Sequence, residues 1–165
     1  THVAAGMGPG PFTGLRVGIA AARAFALARN LPVVAVPSHD AAALAILLDD
    51  AIADPYAEAR RFAVVTDARR REVAYSVYEG LDADGLPIRA TGPALALRAE
   101  IDAVLSAHEA DRVEATTISA AMLAVVAARA VAAGRELAGP EPLYLRAPDV
   151  TLPKSVIRPG VEGRA

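Results

Sequence analysis

Three short stretches carry residue types that could do chemistry. Gly6-Met7-Gly8-Pro9-Gly10-Pro11-Phe12-Thr13-Gly14 is a glycine-rich turn running into a helical pattern. Such a turn can cradle phosphate, because a helix N-terminus presents free amides and a positive dipole end. Ser38-His39-Asp40 contains the residue types of a nucleophilic triad, and Arg69-Arg70-Arg71 could touch phosphates. Each reading meets an obstacle. A P-loop needs Gly-Lys-Ser/Thr, so that an ammonium and a hydroxyl reach phosphate and magnesium; here Leu15 follows Gly14 and the lysine of the chain is Lys154. In a G-x-G-x-x-G fingerprint the third glycine position falls on Pro11 counting from Gly6, or on Thr13 counting from Gly8. Pro9 and Pro11 also remove two amide donors. The loop therefore reads as a structural turn. Three consecutive residues at a helix start point in different directions, so Ser38, His39 and Asp40 form no relay. Ser38 is expected to cap a helix, with Asp40 in its first turn. The arginine run reads as a solvated hairpin turn. His2, His39 and His108 are too far apart in sequence for ligand spacing, and there is no cysteine to supply a thiolate or a disulfide. No catalytic, cofactor-binding or metal-binding residue is predicted.

The elements that would position these stretches follow from patterning. His2 to Ala5 reads as the end of a strand, and Pro32 to Pro37 as a second, parallel strand, with a helix from Thr13 to Asn30 between them: a βαβ unit. Thr13 is the expected N-cap and Leu31-Pro32 the stop. This helix is apolar over most of its circumference. Val17, Ala21, Ala24, Phe25 and Ala28 form one stripe and Leu15, Ile19, Ala22 and Ala26 another, with Arg16, Arg23 and Asn30 in a narrow sector. A helix on the surface of a monomer needs one stripe. Two stripes predict packing on its own sheet and on something else. Gly14, Gly18, Ala22 and Ala26 add a row of small side chains that would let another helix approach closely.

A second helix follows Ser38, and Asp54-Pro55 marks a boundary between lobes. Arg61–Asp67 and Glu72–Glu79 read as strands joined by the arginine turn, the second alternating Val73, Tyr75 and Val77 against Ala74, Ser76 and Tyr78. A turn at Asp82–Gly85 leads to a short strand near Ile88. Helices are predicted over Leu97–His108, with His108 near its C-terminus, and over Ile118–Ala133, stopped by Gly134. Leu143 to Thr151 reads as an extended segment. We expect lobes over 1–54 and 55–154 and a loose tail over 155–165.

Composition sets outer bounds. The chain has 165 residues and a formal net charge of −2, which gives no electrostatic reason to bind nucleic acid or an anionic membrane unaided. No apolar run reaches the roughly 18 residues that span a bilayer. A cytoplasmic protein is expected. The first residue is not Met, and Thr1-His2-Val3 reads like the middle of a strand, so an upstream segment is expected.

Three separated motifs carry a resemblance: Gly8 to Ala26 (GPGPFTGLRVGIAAARAFA), Asp67 to Val73 (DARRREV) and Pro142 to Thr151 (PLYLRAPDVT). In this order they resemble the TsaB (YeaZ) family of bacterial tRNA threonylcarbamoyladenosine (t6A) biosynthesis proteins. The resemblance implies an α/β, two-lobed actin/Hsp70/sugar-kinase-like (ASKHA) fold, here without the N-terminal part of the first lobe. It implies a non-catalytic scaffold that supports a catalytic TsaD homologue and a TsaE ATPase, with tRNA reached indirectly and no cofactor of its own. The catalytic relatives carry an H-x-x-x-H metal pair that this chain lacks, and peptidase labels on the family find no nucleophile here. The stretch Arg112–Thr116 is shorter than the resemblance implies, since the family usually has a Gly-Asp-containing strand there; either that strand is lacking or these residues flank an omitted loop. Partner contacts are expected through helix 13–30, at Leu15, Gly18, Ile19, Ala22, Arg23 and Ala26, with TsaD or with a second copy of the chain. The competing reading is an ATP-dependent enzyme of the same superfold using the Gly8–Gly14 loop for phosphate. A third is direct tRNA contact through Arg69, Arg70 and Arg71.

Overall fold

The computed structural model describes residues 1–58 and 60–146. The expected tail over 155–165, Lys154 and the end of the third motif, from Ala147 onward, lie outside the described residues. Chain order is β1 (Val3–Gly6), α1 (Phe12–Ala28), β2 (Val33–Val36), α2 (Ser38–Ala53), β3 (Phe62–Ala68), β4 (Glu72–Leu81), β5 (Pro87–Leu97), α3 (Ile101–Ala107), β6 (Asp111–Glu114) and α4 (Ala120–Ala132).

β1 and β2 pair in parallel, Val3 opposite Val33 and Gly6 opposite Val36, which closes the expected βαβ unit. The second sheet has the order β5-β4-β3-β6. β3 and β4 are antiparallel, with Phe62 opposite Tyr78 and Ala68 opposite Glu72, and β6 lies parallel to β3. A strand is thus present at this place as β6, four residues long and without the Gly-Asp pair. β5 is 11 residues long rather than a short strand near Ile88, and it runs through Leu97, so the next helix begins at Ile101. Pairing with β4 decides this: the helical spacing of Leu97 and Ile101 spans a strand end and a helix start. α3 lays Ile101 and Leu105 on Val65, Val73 and Val77 of the sheet.

α2 is the layer between the sheets. Its Leu44 packs with Val36, Val126 and Ala130 on one side, while Ala42 and Ala43 pack with Phe62, Val64 and Tyr78 on the other. Phe62 and Tyr78 stack with centroids 5.8 Å apart. α4, expected with the second lobe, packs instead against β1, β2 and α2. Its buried Val126, Ala127 and Ala130 meet Leu86 from the β4–β5 turn in that same core. The reason is the apolar face of the first sheet, which α4 covers. Ser119 caps α4, accepting from the Met122 amide at 3.4 Å.

Two caps differ from expectation. α1 starts at Phe12 with Pro11 at the N-cap, so Thr13 lies inside the helix. α2 starts at Ser38 with Pro37 at the N-cap. Each proline carries the extended backbone that an N-cap adopts (ψ 126° and 130°), so neither helix start relies on a hydroxyl. Among the described residues no helix is long and apolar enough to cross a membrane.

Candidate functional site

The three motifs, separated by scores of residues, meet at one cleft. The Gly8–Pro11 loop and Phe12 form one wall, the β3–β4 turn with Asp67, Arg69 and Arg70 forms another, and Leu143–Arg146 runs along the rim. The cleft has a volume of about 520 Å³.

Its loop wall is built by backbone pairing. Met7 N donates to Val36 O at 2.8 Å, and Leu143 N to Met7 O at 2.7 Å. Gly8 N donates to Ser38 Oγ at 3.1 Å, and Ser38 N returns a bond to Gly8 O at 2.7 Å. Gly8 sits at φ +102°, and a Cβ there would lie 3.2 Å from Leu143 O, so the position requires glycine. The amide of Gly8 is thus committed, and Pro9 and Pro11 have none. The Ser38 hydroxyl fastens the loop instead of capping α2, which corrects the expected role.

The segment 140–146 is held down by the arginine sector of α1. Arg16 Nε donates to Tyr144 Oη at 2.8 Å, and its guanidinium lies 4.0 Å from the Phe12 ring centroid. Phe12 and Tyr144 are 5.2 Å apart, Arg23 donates to Pro140 O, and Arg146 pairs with Glu72. On the turn, Asp67 pairs with Arg98.

Below the cleft, the triad types point apart. His39 is fully buried, with Nδ1 2.9 Å from Ser76 Oγ and Nε2 2.9 Å from Thr66 Oγ1. Burial first, and the Arg89 charge second, pull its pKa down to about 4, so the ring is neutral at pH 7. Asp40 accepts from Tyr78 Oη at 2.7 Å and lies 3.6 Å from Arg89 Nε. Burial raises its pKa, against the opposing pull of Arg89 and the Tyr78 hydroxyl. Burial, then the Asp40 charge, holds the Tyr78 phenol well above its ordinary range. His108 closes α3 and lies 6.4 Å from the Tyr75 ring. Among the described residues no three His, Cys, Asp or Glu side chains are grouped to hold a metal.

The residues expected to face a partner are divided by the structure. Leu15, Ile19 and Ala26 are buried, Leu15 and Ile19 against Ala5 and Met7, with Ala22 half-buried beside them. Arg23 is engaged with Pro140 O of its own chain. Of the six, Gly18 points to open space. The assignment of stripes is corrected accordingly: the leucine–isoleucine stripe covers the chain's own sheet, whose small residues accept large side chains. The outward stripe is the other one. Val17 is 65% and Phe25 59% exposed, Ala21 and Ala28 are exposed, and a Cβ added at Gly14 or Gly18 would touch nothing within 4 Å. The sequence showed both stripes; which one faces out depends on the side of α1 on which β1 lies. The buried roles of His39 and Asp40 were missed. Their signal is a run of three polar residues directly after a proline-bracketed apolar strand.

Comparison with known proteins places the fold among solved relatives. The structure of YeaZ from Pseudomonas aeruginosa superposes with a TM-score of 0.58 at 28% identity, covering 85% of this chain and 72% of that one. A second Pseudomonas aeruginosa structure, described as an uncharacterized protein with similarity to peptidase YEAZ, gives a TM-score of 0.58 at 29% identity over 86% of this chain and 71% of that one. An uncharacterized Mycobacterium tuberculosis protein is 44% identical over 100 residues, 61% of this chain and 39% of its own length. An uncharacterized Mycobacterium leprae protein is 41% identical over 100 residues, 61% of this chain and 23% of its own. The chain thus spans well under half the length of these mycobacterial relatives. The family model described as "TsaD: tRNA N6-adenosine threonylcarbamoyltransferase" matches residues 1–103. With that match over most of its length and a YeaZ-like, ASKHA-type fold, the chain belongs to the TsaD family and is a TsaB/YeaZ-like member of it.

Proposed function

We propose that this chain is an accessory, non-catalytic subunit in tRNA t6A modification, which pairs through α1 with a catalytic TsaD homologue and supports it together with a TsaE-type ATPase. The observation that carries the reading is the outward stripe of α1. Gly14, Val17, Gly18, Ala21, Phe25 and Ala28 form an apolar, small-residue face that is uncovered among the described residues. Such a face lets a second helix approach closely, and each covered side chain would contribute about 1–2 kcal/mol at the apolar-area rate. The polar residues that resemble catalytic types support the accessory role, because Ser38, His39 and Asp40 are spent on internal bonds. In this reading the chain reaches tRNA through the complex, works in the cytoplasm, and can pair with a second copy of itself when alone.

The test is size-exclusion chromatography of the full-length protein with its TsaD homologue. Gly18→Leu and Phe25→Glu should each abolish co-elution while circular dichroism stays unchanged. Retained complexes in both variants would remove α1 from the interface.

The competing reading, an ATP-dependent enzyme using the Gly8–Gly14 loop, has less support, since the Gly8 amide is committed and two residues of the loop are prolines. Calorimetry with ATP and magnesium on the full-length protein decides between them: tight binding with turnover would favour the enzyme.

A further inference from the structure

The buried polar side chains among the described residues are Ser38, His39, Asp40 and Ser76. All four lie at the junction between the two sheets, and the reading above gives them no task. Successive residues of a helical turn project about 100° apart, so one turn can reach three different neighbours. Here it does. Ser38 holds the Gly8 backbone on the first lobe through two hydrogen bonds. His39 commits one ring nitrogen to Thr66 of β3 and the other to Ser76 of β4. Asp40 takes the Tyr78 hydroxyl of β4 and faces Arg89 of β5 at 3.6 Å. The β5 backbone closes on this point: Gly92, at φ +92°, would place a Cβ 2.7 Å from Tyr75 O and 2.8 Å from Ser76 Cα.

Two further ties join the lobes elsewhere. Leu86 of the β4–β5 turn is buried in the core shared by β2, α2 and α4, and Arg129 of α4 donates to Gly85 O. Across the cleft, the segment after Pro140 is bonded to α1 at one end and to Glu72 of β4 at the other. A jaw-like closure would have to rotate one lobe against the other. Hydrogen bonds weaken steeply beyond a few tenths of an ångström or about 60° of misalignment. Rotation would therefore strand the buried imidazole of His39 and the buried Ser76 hydroxyl without partners.

We propose that the two lobes form one fixed body in which the first turn of α2 sets the width of the cleft, so that the cleft is a preformed surface that does not open and close around an occupant. This inference is independent of the assignment of α1 to a partner interface.

The absence of cysteine makes the test clean. Ala20→Cys on α1 and Ala103→Cys on α3 place nitroxide labels on exposed helical positions of opposite lobes. The full chain is diluted with unlabelled protein, so that only intrachain distances are read by pulsed electron resonance. The parent should give a single narrow distance distribution. The Thr66→Val/Ser76→Ala double variant, which removes both partners of His39 at little change in volume, should broaden that distribution and shift its mean, with circular dichroism retained. A broad or two-peaked distribution in the parent overturns the fixed body, whether or not the double variant folds. A narrow, unshifted distribution in a folded double variant overturns the role of the α2 turn.

Discussion

His39 shows how one side chain can make stability depend on pH. Its folded pKa is about 4 against an ordinary 6.5. Between those values the unfolded chain binds a proton that the folded chain does not, so stability rises with pH through this window. The contribution is fully present above pH 6.5 and is lost as pH falls towards 4, an order of about 3 kcal/mol from the size of the shift. Urea denaturation at pH 7 and pH 4.5 should show this loss, and His39→Gln should flatten it. An equal slope in the variant would assign the acid sensitivity elsewhere. Asp40 has the opposite sign: its raised pKa means its contribution is present below 3.8 and lost as pH rises through its folded value. Its effect therefore runs against that of His39 as pH rises above 3.8, and the His39→Gln comparison, with Asp40 present in both proteins, isolates the histidine. Gly92 gives a second residue-scale expectation. Alanine there meets backbone at 2.7 Å in a left-handed conformation, so Gly92→Ala should cost about 1–3 kcal/mol or more, read as a lower thermal midpoint. An unchanged midpoint would show that the β5 backbone relaxes freely around Gly92.

At the scale of elements, α1 explains why glycines sit where alanine would make a better helix. Glycine in a helix interior costs about 0.5–1 kcal/mol relative to alanine. Among the described residues, Gly14 and Gly18 have no neighbour that a Cβ would meet. Gly18→Ala should therefore stabilise the isolated chain by up to about 1 kcal/mol in a denaturant melt. A loss of stability would show that Gly18 serves an internal contact. The inward stripe behaves differently: Ile19→Glu should lower the thermal midpoint of the whole chain, because Ile19 is buried with Ala5 and Met7. Both stripes were legible from periodicity, because an amphipathic pattern encodes faces. Their orientation was not legible, because it is set by where β1 and the segment after Pro140 lie. Arg16 and Arg23 illustrate this. Their spacing marked a sector, but their partners, Tyr144 and the Pro140 carbonyl, are more than a hundred residues away in sequence.

At the scale of the molecule, shared elements replace separable lobes. α2 is buried on both sides, and α4 from the later part of the chain covers the first sheet. Unfolding should accordingly be one cooperative transition by calorimetry, and two resolved transitions would contradict it. Leu86→Ala, which empties a site where α4 and the β4–β5 turn meet, should lower the thermal midpoint of that single transition by removing about 2–5 kcal/mol. The sequence by itself determined the βαβ unit, the β3–β4 hairpin, the glycine-rich launch of α1 and the three family motifs, because each rests on residues near one another in the chain. Tertiary structure decided the length of β5, the existence of β6, the side to which α4 returns, which stripe of α1 is buried, and the convergence of the three motifs on one cleft. These depend on pairing and burial between residues far apart in sequence, and local propensity carries no information about such partners.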